Sequence, residues 1–435
     1  MTQRYDTYKD SGVQWIGKIP SHWTPCTVRT FAQEYTEKNK PEKTRELLAL
    51  SYALGVTLYR DKQFNMDRVK EDYEEYKIVH ENDLVLSPND IIKGSVYVSK
   101  YYGCISPMYL IFKSRFEDKN YLLYLSYLLR TQQAGRKLFS IAKGLIGSIL
   151  DNGKYVTRRM SVSRYDLLTF KVVMPPIDEQ SRIVSFLDAK CGKIDEWVTK
   201  KQKEVEHLQE LKQRVIADAV TRGLNPNVKM KQTVIPWLSE VPEHWEIYRY
   251  GTLFKLKPVK QHHGEELLSV FLHFGVIRAA ESEKRTHAAS EDLSKYQLVE
   301  ETDFVMNNQQ AWRGSVGVSK LVGIISPAYH IFKMPNCMFP NYANYLLRSK
   351  CMVSQFEMSS RGVGSIQRTL NFNWLNNKIV PVPPLSEQRS IVSYLDAKSS
   401  KIDKLSANIT KEIECIKEYK QRLISDVVTG QIKVC

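Results

Sequence analysis

Two short segments put chemistry-bearing residue types at matching places in the two halves of this sequence. Lys93-Gly94-Ser95-Val96 and Arg313-Gly314-Ser315-Val316 each join a cation, a glycine and a hydroxyl, 220 residues apart. Cation and hydroxyl supply hydrogen-bond donors, and glycine lets backbone approach an anion closely, so the set suits a phosphate. The plainer reading is a hairpin turn carrying a solvated cation. Trp312, beside Arg313, can either stack at a base step or plug a core. A second basic, glycine-rich stretch also occurs twice. Lys143-Gly144-Leu145-Ile146-Gly147-Ser148-Ile149 is followed by Arg158-Arg159, and Arg361-Gly362-Val363-Gly364-Ser365-Ile366 is followed by Arg368. Both are expected to be loops that face phosphate or enter a groove. These are the materials of polyanion binding.

The materials of catalysis are absent from the pattern. His22-Trp23 and His244-Trp245 have no third group to complete a triad and read as turns that plug a core. Pro88-Asn89-Asp90 with Lys93 resembles the acid-and-lysine cluster of metal-dependent nucleases, but the second copy has Gln310 in place of Asp90. There is no P-loop, no glycine-rich cofactor turn after a strand, and no Asn/Asp-Pro-Pro-aromatic motif of a methyltransferase. The seven cysteines stand singly, none in a CxxC, and His262-His263 has no partner at ligand spacing. The expectation is no catalytic residue, no metal and no cofactor, with thiols kept reduced in a cytosol.

Charge points the same way. The net charge is +15, yet residues 178–222 sum to 0 and residues 386–429 to +1, so +14 lies elsewhere. A basic surface of that size favours a polyanionic partner. With 43% hydrophobic and 11% aromatic residues the chain can fill real cores. No apolar run approaches the ~18 residues of a bilayer span, and the N-terminus has no apolar stretch, so a cytoplasmic protein is expected.

The elements that must position these residues are also duplicated. Trp15-Ile16-Gly17-Lys18-Ile19-Pro20-Ser21-His22-Trp23 returns as Trp237-Leu238-Ser239-Glu240-Val241-Pro242-Glu243-His244-Trp245, offset 222. Ile105-Ser106-Pro107-Met108-Tyr109 returns as Ile325-Ser326-Pro327-Ala328-Tyr329, offset 220, and Pro175-Pro176-Ile177-Asp178-Glu179-Gln180 as Pro383-Pro384-Leu385-Ser386-Glu387-Gln388, offset 208. A unit of roughly 200 residues is too long for a solenoid repeat. Short β-branched and aromatic runs such as Leu84-Val85-Leu86 and Ser315-Val316-Gly317-Val318 predict strands, and residues 121–130 and 342–348 predict short helices. Each half thus opens with a mixed α/β domain.

After each Pro-Pro, which enforces an extended lead-in, Asp178 or Ser386 can cap a helix of about 44 residues, roughly 65 Å long. Apolar residues form one stripe along it: Ile183, Leu187, Ile194, Val205 and Leu208 in the first copy, and Ile391, Leu395, Ile402, Leu405, Ile409, Ile416 and Leu423 in the second. Such a helix must bury its stripe against the other copy or another subunit. Over residues 175–222 and 383–430, 25 of 48 positions are identical without a gap, whereas residues 33–77 and 257–295 barely align. A constant frame carries two divergent heads.

These motifs together resemble the specificity subunit of a type I restriction-modification system. The resemblance rests on the two Pro-Pro-x-x-Glu-Gln segments and on Phe186-Leu187-Asp188 with Tyr394-Leu395-Asp396. It rests also on Lys193-Ile194-Asp195 with Lys401-Ile402-Asp403, on Lys212-Gln213-Arg214 with Lys420-Gln421-Arg422, and on the Ile-Ser-Pro-x-Tyr segments, expected to be strands. It covers nearly the whole chain. The implied fold is α/β (mixed α+β), a pseudo-twofold duplication with two globular target-recognition domains joined by two long antiparallel coiled-coil helices. The domains would be residues 1–174 and 231–382, and the helical spacers residues 175–230 and 383–435. The implied function is non-catalytic reading of a bipartite, asymmetric site on double-stranded DNA, with two methyltransferase (M) subunits and restriction (R) subunits as partners and no membrane. Two rival readings are a DNA-binding scaffold or regulator outside restriction-modification, and an enzyme with a cryptic site.

Overall fold

The computed structural model describes residues 3–52, 54–61, 72–149, 155–235, 238–257, 265–272, 274–281, 293, 295–362 and 368–434. They form two compact units, Met1–Lys201 with Lys411–Cys435, and Gln202–Thr410. Each unit is mixed α/β, and two long helices, Ile177–Arg222 and Leu385–Val428, run through the chain. Among the described residues no helix is long and apolar enough to cross a membrane.

In unit 1 a four-stranded antiparallel sheet runs Ala32–Glu34, Leu110–Ser114, Leu84–Leu86, Val96–Val98. All three residues of Leu84-Val85-Leu86 are buried, because this central strand is covered on both faces. Leu84 and Leu86 pack with Phe112 against the helix Asn120–Leu129, while Val85 and Ile111 point the other way, onto Leu48, Leu50 and Val79. The turn at Ser106-Pro107, where the Tyr109 amide donates to the Ser106 carbonyl, joins the strand ending at Ile105 to the one starting at Leu110. The shared Ile-Ser-Pro-x-Tyr motif is therefore a corner rather than a strand.

Unit 2 repeats the order: Lys255–Leu256, Tyr329–Lys333, Phe304–Asn307, Val316–Val318. Phe304, Met306 and Phe332 face the helix Pro340–Arg348, and Val305 and Ile331 face Leu268, Val270 and Val299. The repeat also extends where the sequences barely align. The hairpin pairing Leu48 with Leu58 recurs as one pairing Leu268 with Arg278. Pairing depends on turn placement and alternation, so it outlasts loss of identity. Each expected short helix is followed by a second that the sequence pattern does not announce, Gln132–Ile141 and Lys350–Met358, capped by the Thr131 and Ser349 hydroxyls.

The second basic glycine-rich stretch is a strand, not a loop. Lys143–Ile149 pairs antiparallel with Tyr155–Ser161, and the register shifts between Lys143 and Leu145 and between Ile146 and Ile149. Gly144 and Gly147 fall within those shifts, so the glycines mark bulges in a strand whose Leu145, Ile146 and Ile149 favour extension. In unit 2 the corresponding Ser360–Arg361 pairs with Thr369–Leu370.

The long helices measure 46 and 44 residues and begin at Ile177 and Leu385. Asp178 and Ser386 therefore lie inside the first turn and do not cap it. The motif's glutamine ties the Pro-Pro lead-in to the first turn: Gln180 Nε2 donates to the Pro175 carbonyl at 2.7 Å, and Gln388 Nε2 to Pro383 at 2.8 Å. The apolar stripe is buried at Ile183, Leu187, Ile391, Leu395, Ile402, Ile409 and Leu423, and half-buried at Ile194, Val205, Leu208 and Ile416. Leu405 departs from it and is 45% exposed. In unit 1, Ile183, Val184 and Leu187 share a core with Ile424, Val427 and Val428 of the second helix. In unit 2, Ile216 and Val220 of the first helix share a core with Ile391, Val392 and Leu395.

Each unit fastens its head to these helices through the same groups. Glu179, buried, accepts from Trp23 Nε1 at 3.0 Å, lies 2.8 Å from His22 Nε2, and accepts from the Tyr5 hydroxyl. Burial and this bond raise the Tyr5 pKa far above a phenol's usual value. Glu387 accepts from Trp245 Nε1 at 3.1 Å and lies 2.7 Å from His244 Nε2. Trp23 and Trp245 are both buried, in keeping with His-Trp as a core plug. Tyr127 and Tyr345 add bonds to Asp188 and Asp396, the latter at 2.7 Å. Burial and that carboxylate push Tyr345 up to about 12.

Candidate nucleic-acid interface

The Lys-Gly-Ser and Arg-Gly-Ser segments close the same tight turn. A 3₁₀ helix, Ile91–Lys93 or Ala311–Arg313, ends at a left-handed glycine, Gly94 (φ 90°) or Gly314 (φ 97°). Each glycine amide donates to the carbonyl three residues back at 2.8 Å. That conformation strongly favours glycine, so the turn requires it whether or not an anion is near. Ser95 and Ser315 point inward and are buried, and the Ser315 hydroxyl donates to the Val270 carbonyl at 2.9 Å. The side chains the turn presents to solvent are the cations. Lys93 stands 72% exposed, 3.4 Å from Asp90, an exposed pair of little energetic weight. Arg313 is exposed at the same place in unit 2.

Unit 2 adds aromatic faces to this charge. The Arg313 guanidinium lies 4.7 Å from the Trp312 ring centroid and the Arg368 guanidinium 4.8 Å from the same ring. Trp312 is fixed by its Nε1 donating to the Gln309 carbonyl at 3.0 Å, and Arg368 is 3.2 Å from Glu357. Arg361, on the strand paired with Thr369–Leu370, lies 4.3 Å over Trp374, which is 43% exposed. The structure thus gathers Trp312, Arg313 and Arg368 at one spot, and Arg361 of the adjoining hairpin against Trp374 of the short helix that follows it. Such arrays stack bases and neutralise phosphates. Nothing in the duplicated motifs singles out Trp374. Its cue was the Asn371 cap, whose side chain accepts from the Asn373 and Trp374 amides and sets the short helix Phe372–Leu375.

Unit 1 places its residues differently. Ile92 stands where unit 2 has Trp312, so the aromatic partner of the cation is gone. Lys143 is exposed at the start of its strand. Gly147 and Ser148 lie at the second bulge, Arg158 is opposite Leu145 in register, and Arg159 follows it on the same strand. Gly364 and Ser365 lie outside the described residues. Among the described residues no group of three His, Cys, Asp or Glu could hold a metal ion, and the cysteines that are described are unpaired.

Residues 312–415 match the sequence family described as type I restriction modification DNA specificity domain. The chain is 23% identical over 444 residues to the putative type I restriction enzyme MjaX specificity subunit of Methanocaldococcus jannaschii, covering 96% of each. It is also 23% identical over 324 residues to the type I restriction enzyme EcoBI specificity subunit of Escherichia coli, covering 68% of this chain and 65% of that one. A chain solved in work on complex assembly and conformational transition of the type I R-M system shares the fold. The TM-score is 0.64 at 14% identity, over 94% of this chain and 98% of that one.

Proposed function

We propose that this chain, which carries a type I restriction modification DNA specificity domain and resembles such subunits along its length, is the DNA-reading subunit of a type I restriction-modification complex. One observation carries the reading furthest. The two units share sheet order, turn and helix latch, yet carry different residues at the same turn, Ile92-Lys93 in one and Trp312-Arg313 in the other. A shared frame with unlike surfaces fits a reader of two unlike half-sites.

In this reading residues 1–174 and 231–382 are target-recognition domains, and residues 175–230 and 383–435 are helical spacers. The spacers pair antiparallel and set the distance between the half-sites. Lys93, Lys143, Arg158, Arg159, Arg313, Arg361 and Arg368 meet DNA, Trp312 offers a stacking face, and Gly364 and Ser365 belong to the same DNA-facing set. Gly94, Gly314, Ser95 and Ser315 shape the turn that carries the cations, and Gly147 and Ser148 shape the bulged strand. The chain supplies no chemistry of its own. Two methyltransferase subunits dock on it, restriction subunits join them, and catalysis belongs to those partners.

The experiment is duplex binding by the full chain as a function of salt. Each phosphate contact contributes about −0.9 to the slope of log K against log salt. Arg313→Ala and Arg361→Ala should each weaken binding and flatten the slope by about that amount. A slope that neither change moves removes both arginines from the interface.

A further inference from the structure

Each unit holds a wide cavity at the duplicated position, between head and long helix. In unit 1 it measures about 740 Å³ and is lined by Lys93, Arg130 and Arg136 with Gln421 of the second long helix. In unit 2 it measures about 470 Å³ and is lined by Arg313, Arg348 and Lys350 with Gln213 of the first long helix. Lys93 and Arg313 are 220 residues apart, Arg130 and Arg348 are 218 apart, and Gln213 and Gln421 are 208 apart, following the offsets of the duplication itself. Among the described residues no carboxylate lines either cavity.

The two central arginines are unusual cations. Arg130 is sandwiched, its guanidinium 4.4 Å from the Tyr97 ring centroid and 4.9 Å from that of Tyr127. Arg348 donates to the Leu272 carbonyl at 3.1 Å, and burial lowers its pKa. Among the described residues neither arginine has a carboxylate at ion-pair distance, although Lys212, Lys257 and Lys420 all do. Both arginines are half-buried, and even partial withdrawal of a cation from water without a counter-charge costs stability. That the same arrangement is built in both copies, amid different neighbours, points to an anion as its complement.

We propose that each cavity is a phosphate site that takes one backbone phosphate of bound DNA where the head meets the long helix. It rests on the DNA-reading function above and adds the part that is the same in both copies. DNA is the favoured source because the cavity is continuous with the candidate reading surface: Arg313 belongs both to this cavity and to the Trp312–Arg368 array. A phosphate held by head and helix together fixes the register of the duplex, and leaves the divergent turns to read bases.

The test uses the full chain and a roughly 40-base-pair duplex of mixed sequence, with affinity measured from about 50 to about 300 mM salt. Arg130→Gln with Arg348→Gln should flatten the log–log slope by about 1.8, two phosphates' worth. Gln421→Glu with Gln213→Glu places a carboxylate in each cavity and should flatten it equally. Because that carboxylate pairs the arginine internally, its melting temperature should hold or rise, which separates loss of an anion site from a damaged fold. Wild-type slope in both double variants overturns the proposal. If the slope is unchanged while inorganic phosphate raises the melting temperature of the wild type and not of the arginine variant, the cavities serve free phosphate and the DNA assignment fails. If the slope is unchanged while a co-purified methyltransferase subunit is lost, a partner's carboxylate is the occupant, and the assignment fails again. A wild type whose binding ignores salt instead contradicts the underlying DNA-reading function.

Discussion

Lys420 Nζ stands 2.7 Å from both carboxylate oxygens of Asp195, across 225 residues of sequence. Shifting each partner by 208 gives Lys212 and Asp403, whose Nζ–carboxylate distances are 2.8 and 2.7 Å. In unit 1 the lysine comes from the second long helix and the aspartate from the first, and in unit 2 the origins are exchanged. Within unit 2, Gln209 bonds Ser406 while Lys212 bonds Asp403, so the two helix segments run antiparallel. Both pairs fall in the gap-free, half-identical stretch that the two copies share, and the pairing gives that identity a physical reason.

These pairs are partly exposed, with Asp195 63% and Asp403 52% accessible, so each is worth little alone. Lys420→Met should cost under about 1 kcal/mol in urea unfolding. Exchanging the charges, Lys420→Asp with Asp195→Lys, should recover most of it. A double-mutant cycle with no coupling contradicts the pairing.

The latch at the helix starts should matter more. Glu179→Ala strands the buried Trp23 indole and Tyr5 hydroxyl and should cost about 2–4 kcal/mol. Glu387→Ala, at a carboxylate 25% exposed against 7% for Glu179, should cost less. Tryptophan fluorescence during unfolding reads both, and the reverse order would contradict this account of the latch.

Glycines at two kinds of turn should respond differently. Gly94→Ala meets only Arg130 at 3.6 Å or beyond, so its cost is the left-handed backbone, about 1 kcal/mol. Gly430, with φ 75° after the second long helix, would bring a Cβ within 2.3 Å of Pro20 Cδ. Gly430→Ala adds that clash to the backbone strain and should cost about 2–3 kcal/mol more than Gly94→Ala. Equal losses in chemical denaturation would show that the C-terminal turn yields freely.

The pH response of unit 1 should carry the mark of Glu37. Bonds from Lys43 at 2.6 Å, from the Tyr35 hydroxyl and from His80 at 3.1 Å hold its pKa at about 2. A carboxylate depressed on folding contributes stability that is present above its unfolded value, near 4.3, and is lost as pH falls through about 2. Wild type should therefore lose melting temperature faster than Glu37→Gln between about pH 5 and pH 2. Parallel curves would show that the cluster contributes nothing.

Much of this architecture is legible in the sequence. The long helices, their stripe and the central strands follow from periodicity, which depends on the residues of one element alone. The glutamate of Pro-Pro-x-x-Glu-Gln shows its helix position in the motif. Its bonds to His22 and Trp23 stay hidden there, because they join residues more than 150 positions apart. The glycine-rich stretches mislead for a related reason: Gly144 and Gly147 mean a loop locally and a bulge once Tyr155–Ser161 lies alongside. Ser95 and Ser315 look like free donors for the same cause, since only the fold turns them inward. The cavity arginines are invisible as a pair. Arg130 and Arg348 gain meaning only when a glutamine from the other half's helix arrives beside them.

The central claim is one frame holding two different readers, and methylation mapping of the host genome tests it most directly. Strains with and without this gene should differ at one bipartite, asymmetric motif, two unlike half-sites separated by a spacer of fixed length and free sequence. A single uninterrupted motif, a palindromic one, or no difference between the strains would contradict the account.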